Sequence, residues 1–301
     1  LTPTLVGLFS NSREGYAATG VIFGVITAGS LLISGGFLRE RKRIEESKPD
    51  ISPFKSIVLT FQNRPFVRLL IAYMIASLAF MMTKTLMIFY ITYNLGMERH
   101  SSIIMALMLI TVTVFLFPWK KISDRADKGP AYAIGLAIGG AAIALAFFLP
   151  NHPTNLIYCV AVVAGLGFST NWIFPWAMVP DVVEFDREKT GESRVGMFYG
   201  VWGLGQKAAE SLGIGISGWA LTLFGFQAGG AEQSESALLG IRLFFGPIPA
   251  ALILCTLPLL IRYPITRKSH AELCERLEQR ERVPQEEILG GGIEDGAAAL
   301  V

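Results

Sequence analysis

Cysteine is scarce in this sequence. Cys159, Cys255 and Cys274 are its only three, two in apolar blocks and one in a polar tail, which excludes the disulfide framework of a small secreted domain. Histidine is equally rare: His100, His152 and His270 lie far apart, and neither CxxC nor HExxH occurs, so the sequence points to no metal centre. Charge is thin, at 17% of 301 residues, where a soluble domain carries about 25%. The opening LTPTLVGLF lacks the basic stretch that begins a secretory signal. It reads as the end of an earlier helix, so the expectation is a fragment of a longer chain.

What the sequence has instead is apolar length. Hydrophobic residues make up 52% of it, and the mean hydropathy is +0.48. They gather in seven blocks, approximately 17–38, 66–94, 101–119, 130–149, 155–180, 196–226 and 240–262. A bilayer core needs roughly 20 apolar residues in a helix, whereas a barrel strand is about ten residues long and alternates in polarity. The blocks therefore predict an all-α, polytopic transmembrane bundle.

The basic residues alternate along it. Counting Lys and Arg, 21 lie in loops 38–69, 119–130 and 181–194 and after Ile261, against two, Arg13 and Arg99, in the opposite loops. That asymmetry is the positive-inside pattern; it predicts a multi-pass protein of the cell (inner) membrane with its first residues outside and its C-terminus cytoplasmic. Topology alone accounts for these basic loops, so nucleic acid is not an expected partner, whereas membrane lipids are. Four regions follow: an end helix at 1–38, a cytoplasmic loop at 39–65, a six-helix domain at 66–262 and a tail at 263–301, disordered from about 284. Within the loop, Ile57–Phe61 has the modest apolar content of a segment lying along the membrane surface. The helices are rich in glycine, and most such positions predict close helix–helix approach.

Polar groups at membrane depth carry the functional signal. Lys207 falls eleven residues into the block 196–226, about 16 Å along a helix, where an unpaired ammonium costs on the order of 3 kcal/mol or more. Glu210 is one turn away and can pair with it. Tyr199, Trp202, Gln206 and Glu210 follow i, i+3, i+7, i+11 and share one helix face with Lys207 at its edge, which reads either as a structural ion pair or as the lining of a solute cavity. Asn171, Trp172, Pro175 and Trp176 add a proline-interrupted segment of the kind that lines water-filled pathways, and the indole of Trp172 suits stacking on the apolar face of a sugar ring. Lys84, between Thr83 and Thr85, sits nearer the outer side. The packet 181–194 reads either as a solvated loop or as a gate in which Asp181 and Glu184, at a helix end, pair with an arginine, and KKISDRADK at 120–128 repeats that logic more weakly.

The order PDVVEFDREKTGESR…YGVWGLGQK, with FKSIVLTFQNRPF before it and AEQSESALLGIRLFF after, resembles the glycoside–pentoside–hexuronide:cation symporters, the melibiose-permease-like family of the major facilitator superfamily. The resemblance covers residues 1–283 and implies helices six to twelve of a twelve-helix transporter: one preceding helix and the C-terminal six-helix half. It implies no enzyme activity but cation-coupled symport of a sugar or glycoside-like solute by alternating access. The coupling cation would be Na⁺ or H⁺, with ligands on helices outside this sequence, no other cofactor, and the N-terminal half as partner. By the same resemblance Trp172 stacks on the solute and Lys207 lies near the coupled sites. Trp202 replaces a polar solute contact, and Asp181 with Glu184 closes the inner gate on an arginine whose place falls at Ser193, beside Arg194. Two other readings are a seven-helix receptor or retinal protein, which would want its lysine in the last block rather than the sixth, and the same fold carrying a lipid-like or sulfonated solute.

Overall fold

The structure, a computed structural model, describes residues 11–37, 53–191, 194–229 and 232–276. All regular structure among them is helical. The chain divides into two units at Lys48/Pro49. The first holds one described helix, α1 (Ser12–Phe37), whose apolar side chains are mostly exposed, as suits a helix solvated by lipid.

The second unit starts with the short α2 (Pro53–Gln62), where the sequence predicts a surface segment. Then come α3 (Arg64–Phe89), prolonged by a π-turn Tyr90–Asn94, α4 (Ser101–Ser123), α5 (Lys128–Ala146), α6 (Leu156–Phe168), α7 (Thr170–Thr190), α8 (Val195–Leu223), α9 (Glu235–Phe245) and α10 (Pro247–Ile261). Residues 267–276 form a further helical stretch, α11. The six predicted spans of this unit correspond to α3, α4, α5, the pair α6–α7, α8 and the pair α9–α10. Gly246 and Pro247 break the last pair, and a single residue, Ser169, breaks the other, six positions ahead of Pro175, where the kink was expected. Proline 175 lies instead inside a continuous helix.

Among the described residues, six helices or helix pairs, α1 included, are long and apolar enough to cross a membrane. Helix α8 has the length but is not among them: Gln206, Lys207 and Glu210 depress its hydropathy. It packs against α3, which also contacts α10; α10 contacts α5, α5 contacts α6, and α6 contacts α4. Helix α7 touches α3, α4 and α5 from within that sequence of neighbours. The predicted helix contacts at glycine hold for seven of eleven positions. A Cβ on Gly167 would meet the backbone of Gly139 at 2.2 Å, and one on Gly135 would meet Thr170 at 2.1 Å, so α5 and α6 touch through backbone. Gly139, Gly140, Gly165, Gly205 and Gly213 are similarly crowded, whereas Gly200, Gly203, Gly215 and Gly218 of α8 have nothing within 4 Å.

Residues 38–52 and 277–301, including the predicted disordered end, lie outside the described residues.

Candidate functional site

Four of the five open glycines of α8, all but Gly215, belong to one stripe. Gly196, Gly200, Gly203, Lys207, Ser211, Ile214 and Gly218 recur at steps of four and three, the spacing of a single helix face. Gly203 is half-buried and the other six are exposed. Lys207 stands in the middle, its side chain 74% exposed and its Nζ donating to Glu210 Oε2 at 2.8 Å. Gln206 Nε2 donates to the other carboxylate oxygen at 2.9 Å. Lys84 of α3 is exposed and close enough for its charge to act on Glu210. The cluster thus holds two cations for one carboxylate. An apolar groove formed by Ala208, Leu212, Gly215, Ile216 and Trp219 adjoins the stripe at Ser211.

The predicted face is therefore rotated. Tyr199, Gln206 and Glu210 lie on its border, but Trp202 points into the bundle, fully buried, stacked on Tyr73 at 4.3 Å with an interplanar angle of 15°. The indole therefore lies between α8 and α3, off the exposed stripe. Alternation by helical spacing locates a face only to within one neighbouring position, and here packing against Phe66, Tyr73 and Trp176 claims the large apolar side chain.

Asn171 is likewise internal. It accepts from the Tyr132 hydroxyl and donates to Ser77 Oγ at 3.4 Å, joining α7 to α5 and α3. Both ends of the buried amide are thus engaged. Its neighbour Trp172 is 56% exposed and Trp176 is 45% exposed, so α7 presents two indoles outward.

At the end of the bundle where Arg64, Lys120, Lys121 and Arg187 gather, here termed the basic end, the charged packet is assembled differently from the prediction. Lys128, the first residue of α5, spends its three donors on Asp181 Oδ1 and Oδ2, at 2.9 and 2.7 Å, and on the Ala177 carbonyl at 2.9 Å. Beside it Gly129 lets α5 approach α10, since a Cβ there would lie 2.5 Å from the Leu260 carbonyl. Glu184 faces His270 Nε2 at 2.7 Å and Cys274 Sγ at 3.4 Å. Arg194 pairs with neither acid: its Nε and Nη2 donate to Asp186 Oδ2 at 3.0 and 2.6 Å, while Asn63 donates to Oδ1 at 3.3 Å. The predicted gate trio is therefore two separate clusters. Gly191, at φ +72°, ends α7, and Arg194 pairs with Asp186 rather than with Asp181. Ser193 lies outside the described residues.

Sequence reasoning missed His270 and Cys274. They stand on α11, whose start is capped reciprocally by Thr266 and Ser269 and anchored by the Arg267 amide on Asp127 Oδ1 at 2.8 Å. The signal available was the Thr-x-x-Ser cap itself. Tyr263, at the same end, has a buried hydroxyl without a partner among the described residues; burial and, secondarily, the Asp181 charge push its pKa well above the ordinary phenol value.

Comparison with known proteins agrees with this architecture. The sequence matches the family described as MFS/sugar transport protein over residues 1–267. An uncharacterized symporter of Synechocystis sp. is 33% identical over 234 residues, covering 76% of this chain and 43% of the relative. The sodium-dependent lysophosphatidylcholine symporter 1 of Gallus gallus is 27% identical over 273 residues, 88% of this chain and 51% of the relative. A sphingosine-1-phosphate transporter of Mus musculus is 24% identical over 256 residues, 84% and 51% respectively. The chain thus spans about half the length of these relatives, all named as symporters or transporters and none as an enzyme. With its helical bundle and apolar spans, the chain belongs to the MFS/sugar transport family of the major facilitator superfamily.

Proposed function

We propose that this bundle forms one side of an alternating-access, cation-coupled symporter, and that its solute is an amphiphile with an anionic or zwitterionic head group. The observation that carries this is Lys207 in the middle of the exposed glycine stripe. An ammonium at membrane depth is too costly to face hydrocarbon, and a row of glycines leaves backbone bare to whatever approaches. Both features suit a face turned to an aqueous cavity and to a second helical body across it. The stripe offers Lys207, with Lys84 behind it, to an anionic head, and the groove beside Ser211 offers apolar surface to a chain. The relatives named for lysophosphatidylcholine and sphingosine 1-phosphate support this solute class and, for the former, sodium as coupling ion. In this reading the basic end faces the cytoplasm, and the Lys128–Asp181 bridge belongs to the closed inner gate. The cation ligands and the opposing helices lie outside these residues.

A glycoside remains the second reading, favoured by the exposed indole of Trp172 and by the family description. Sodium-driven uptake of a labelled lysophospholipid by the full-length transporter tests both. Lys207→Ala is expected to lower uptake at least about tenfold, the worth of one charge-assisted hydrogen bond, with membrane insertion intact. Wild-type uptake in that variant would remove Lys207 from the site. Competition by a glycoside but not by a lysophospholipid would decide for the sugar.

A further inference from the structure

Two residues of α7 and two of α11, separated by more than eighty positions, converge at the basic end. His270 and Cys274 are one helical turn apart on α11 and share a face, as Asp181 and Glu184 do on α7. We propose that Glu184, His270 and Cys274 form a binding site for a borderline transition-metal cation of the Zn²⁺ class, with Asp181 or water in the fourth position.

The donor spacings approach those of a tetrahedral centre. Bonds of about 2.0–2.3 Å to oxygen, nitrogen and sulfur place neighbouring donor atoms roughly 3.3–3.8 Å apart. Cys274 Sγ lies 3.4 Å from Glu184 Oε2 and 3.8 Å from His270 Nε2, and Asp181 Oδ1 lies 3.4 Å from the same Nε2. The donor atoms of Glu184, His270 and Cys274 all lie within 4.8 Å of one another. To close on an ion, the Nε2–Oε2 edge, 2.7 Å as a hydrogen bond, must lengthen by about half an ångström, and Cys274 Sγ, now 3.8 and 3.9 Å from Nε2 and Nδ1, must shift toward the Nε2 lone pair. Thiolate and imidazole donors exclude Mg²⁺ and Ca²⁺, which take oxygen ligands. Charge also balances. Lys128 already neutralises Asp181, so a divalent cation would meet one carboxylate, one thiolate and a neutral imidazole. Binding releases the thiol proton of Cys274 to solvent and fixes the imidazole proton on Nδ1. The bound ion would join α11 to α7, the helix that presents Trp172.

The test is spectroscopic and independent of uptake. Full-length protein in detergent, stripped with chelator and carrying Cys159→Ser and Cys255→Ser, is titrated with Co²⁺ and then Zn²⁺. The expected result is one Co²⁺ per chain, with a thiolate-to-cobalt charge-transfer band that Zn²⁺ displaces. Cys274→Ser should abolish the band, and Glu184→Gln should weaken binding at least about tenfold, a loss already usual for mere supporting residues. Cys274→His, which keeps a ligand, should bind the metal without the band, separating ligation from folding. No saturable binding, or a band that persists in Cys274→Ser, would overturn the proposal.

Discussion

Glycine has two opposite uses in this bundle, and alanine substitutions should separate them by sign. At Gly167 a new Cβ would lie 2.2 Å from Gly139 N and 2.6 Å from the Gly135 carbonyl. Both contacts are backbone, so no side chain can rotate away, and α5 must retreat from α6 by roughly 1 Å in an interior packed as tightly as a crystal. Overpacking of this kind costs about 1–3 kcal/mol, and Gly167→Ala should sit at the upper end. At Gly200 a Cβ meets nothing within 4 Å, so alanine there should be neutral or gain up to about 1 kcal/mol of helix propensity. Gly200→Leu should also leave the bundle folded. If the stripe faces solute or opposing helices, however, Gly200→Leu fills that space and transport should fall. The assay pairs thermal unfolding of the full-length protein in detergent with uptake in vesicles. Gly167→Ala is expected to lower stability, and Gly200→Leu to lower uptake without lowering stability. Full uptake by Gly200→Leu would refute the functional reading of the stripe, and undiminished stability in Gly167→Ala would refute the packing argument.

Other expectations follow from the same geometry. The Lys128–Asp181 pair is neither exposed nor fully buried, at 27% and 10% side-chain exposure, so its coupling should fall between surface and buried pairs, about 2 kcal/mol. A double-mutant cycle with Lys128→Met and Asp181→Asn measures it, and additive effects would mean the bridge contributes nothing. Trp202→Ala should destabilise the bundle by about 3–5 kcal/mol, as a fully buried aromatic does. Trp172→Ala should instead leave unfolding unchanged and weaken solute binding; the reverse assignment in a paired unfolding and binding measurement would exchange their roles.

Much of the architecture was legible beforehand because a membrane imposes it. Apolar runs of bilayer length and the alternation of basic loops follow from local composition, so six of the seven blocks reappear as apolar spans, and the block 196–226 is recognisable as a helix by its length. The exception of α8 was also visible, since Gln206, Lys207 and Glu210 are what set it apart, and their pairing is a matter of one helical turn. The rotation of α8 was not visible. Tyr199, Trp202, Gln206 and Glu210 satisfy one periodic face, and nothing local says that Trp202 finds Tyr73 while Lys207 finds open space.

What the sequence by itself determined is therefore what depends on neighbours along the chain: helix, span, the Lys207–Glu210 pair and the amphipathic α2. What only the tertiary structure decided depends on segments tens of residues apart. Lys128 meets Asp181, Arg194 turns to Asp186 instead, Asn171 is consumed between Ser77 and Tyr132, and Glu184 meets His270 and Cys274. The physical reason is directional. Burial in lipid depends on how apolar a stretch is, which composition records, whereas a hydrogen bond, an ion pair or a metal site needs atoms within a few ångströms at a set angle, and only the packed helices supply that.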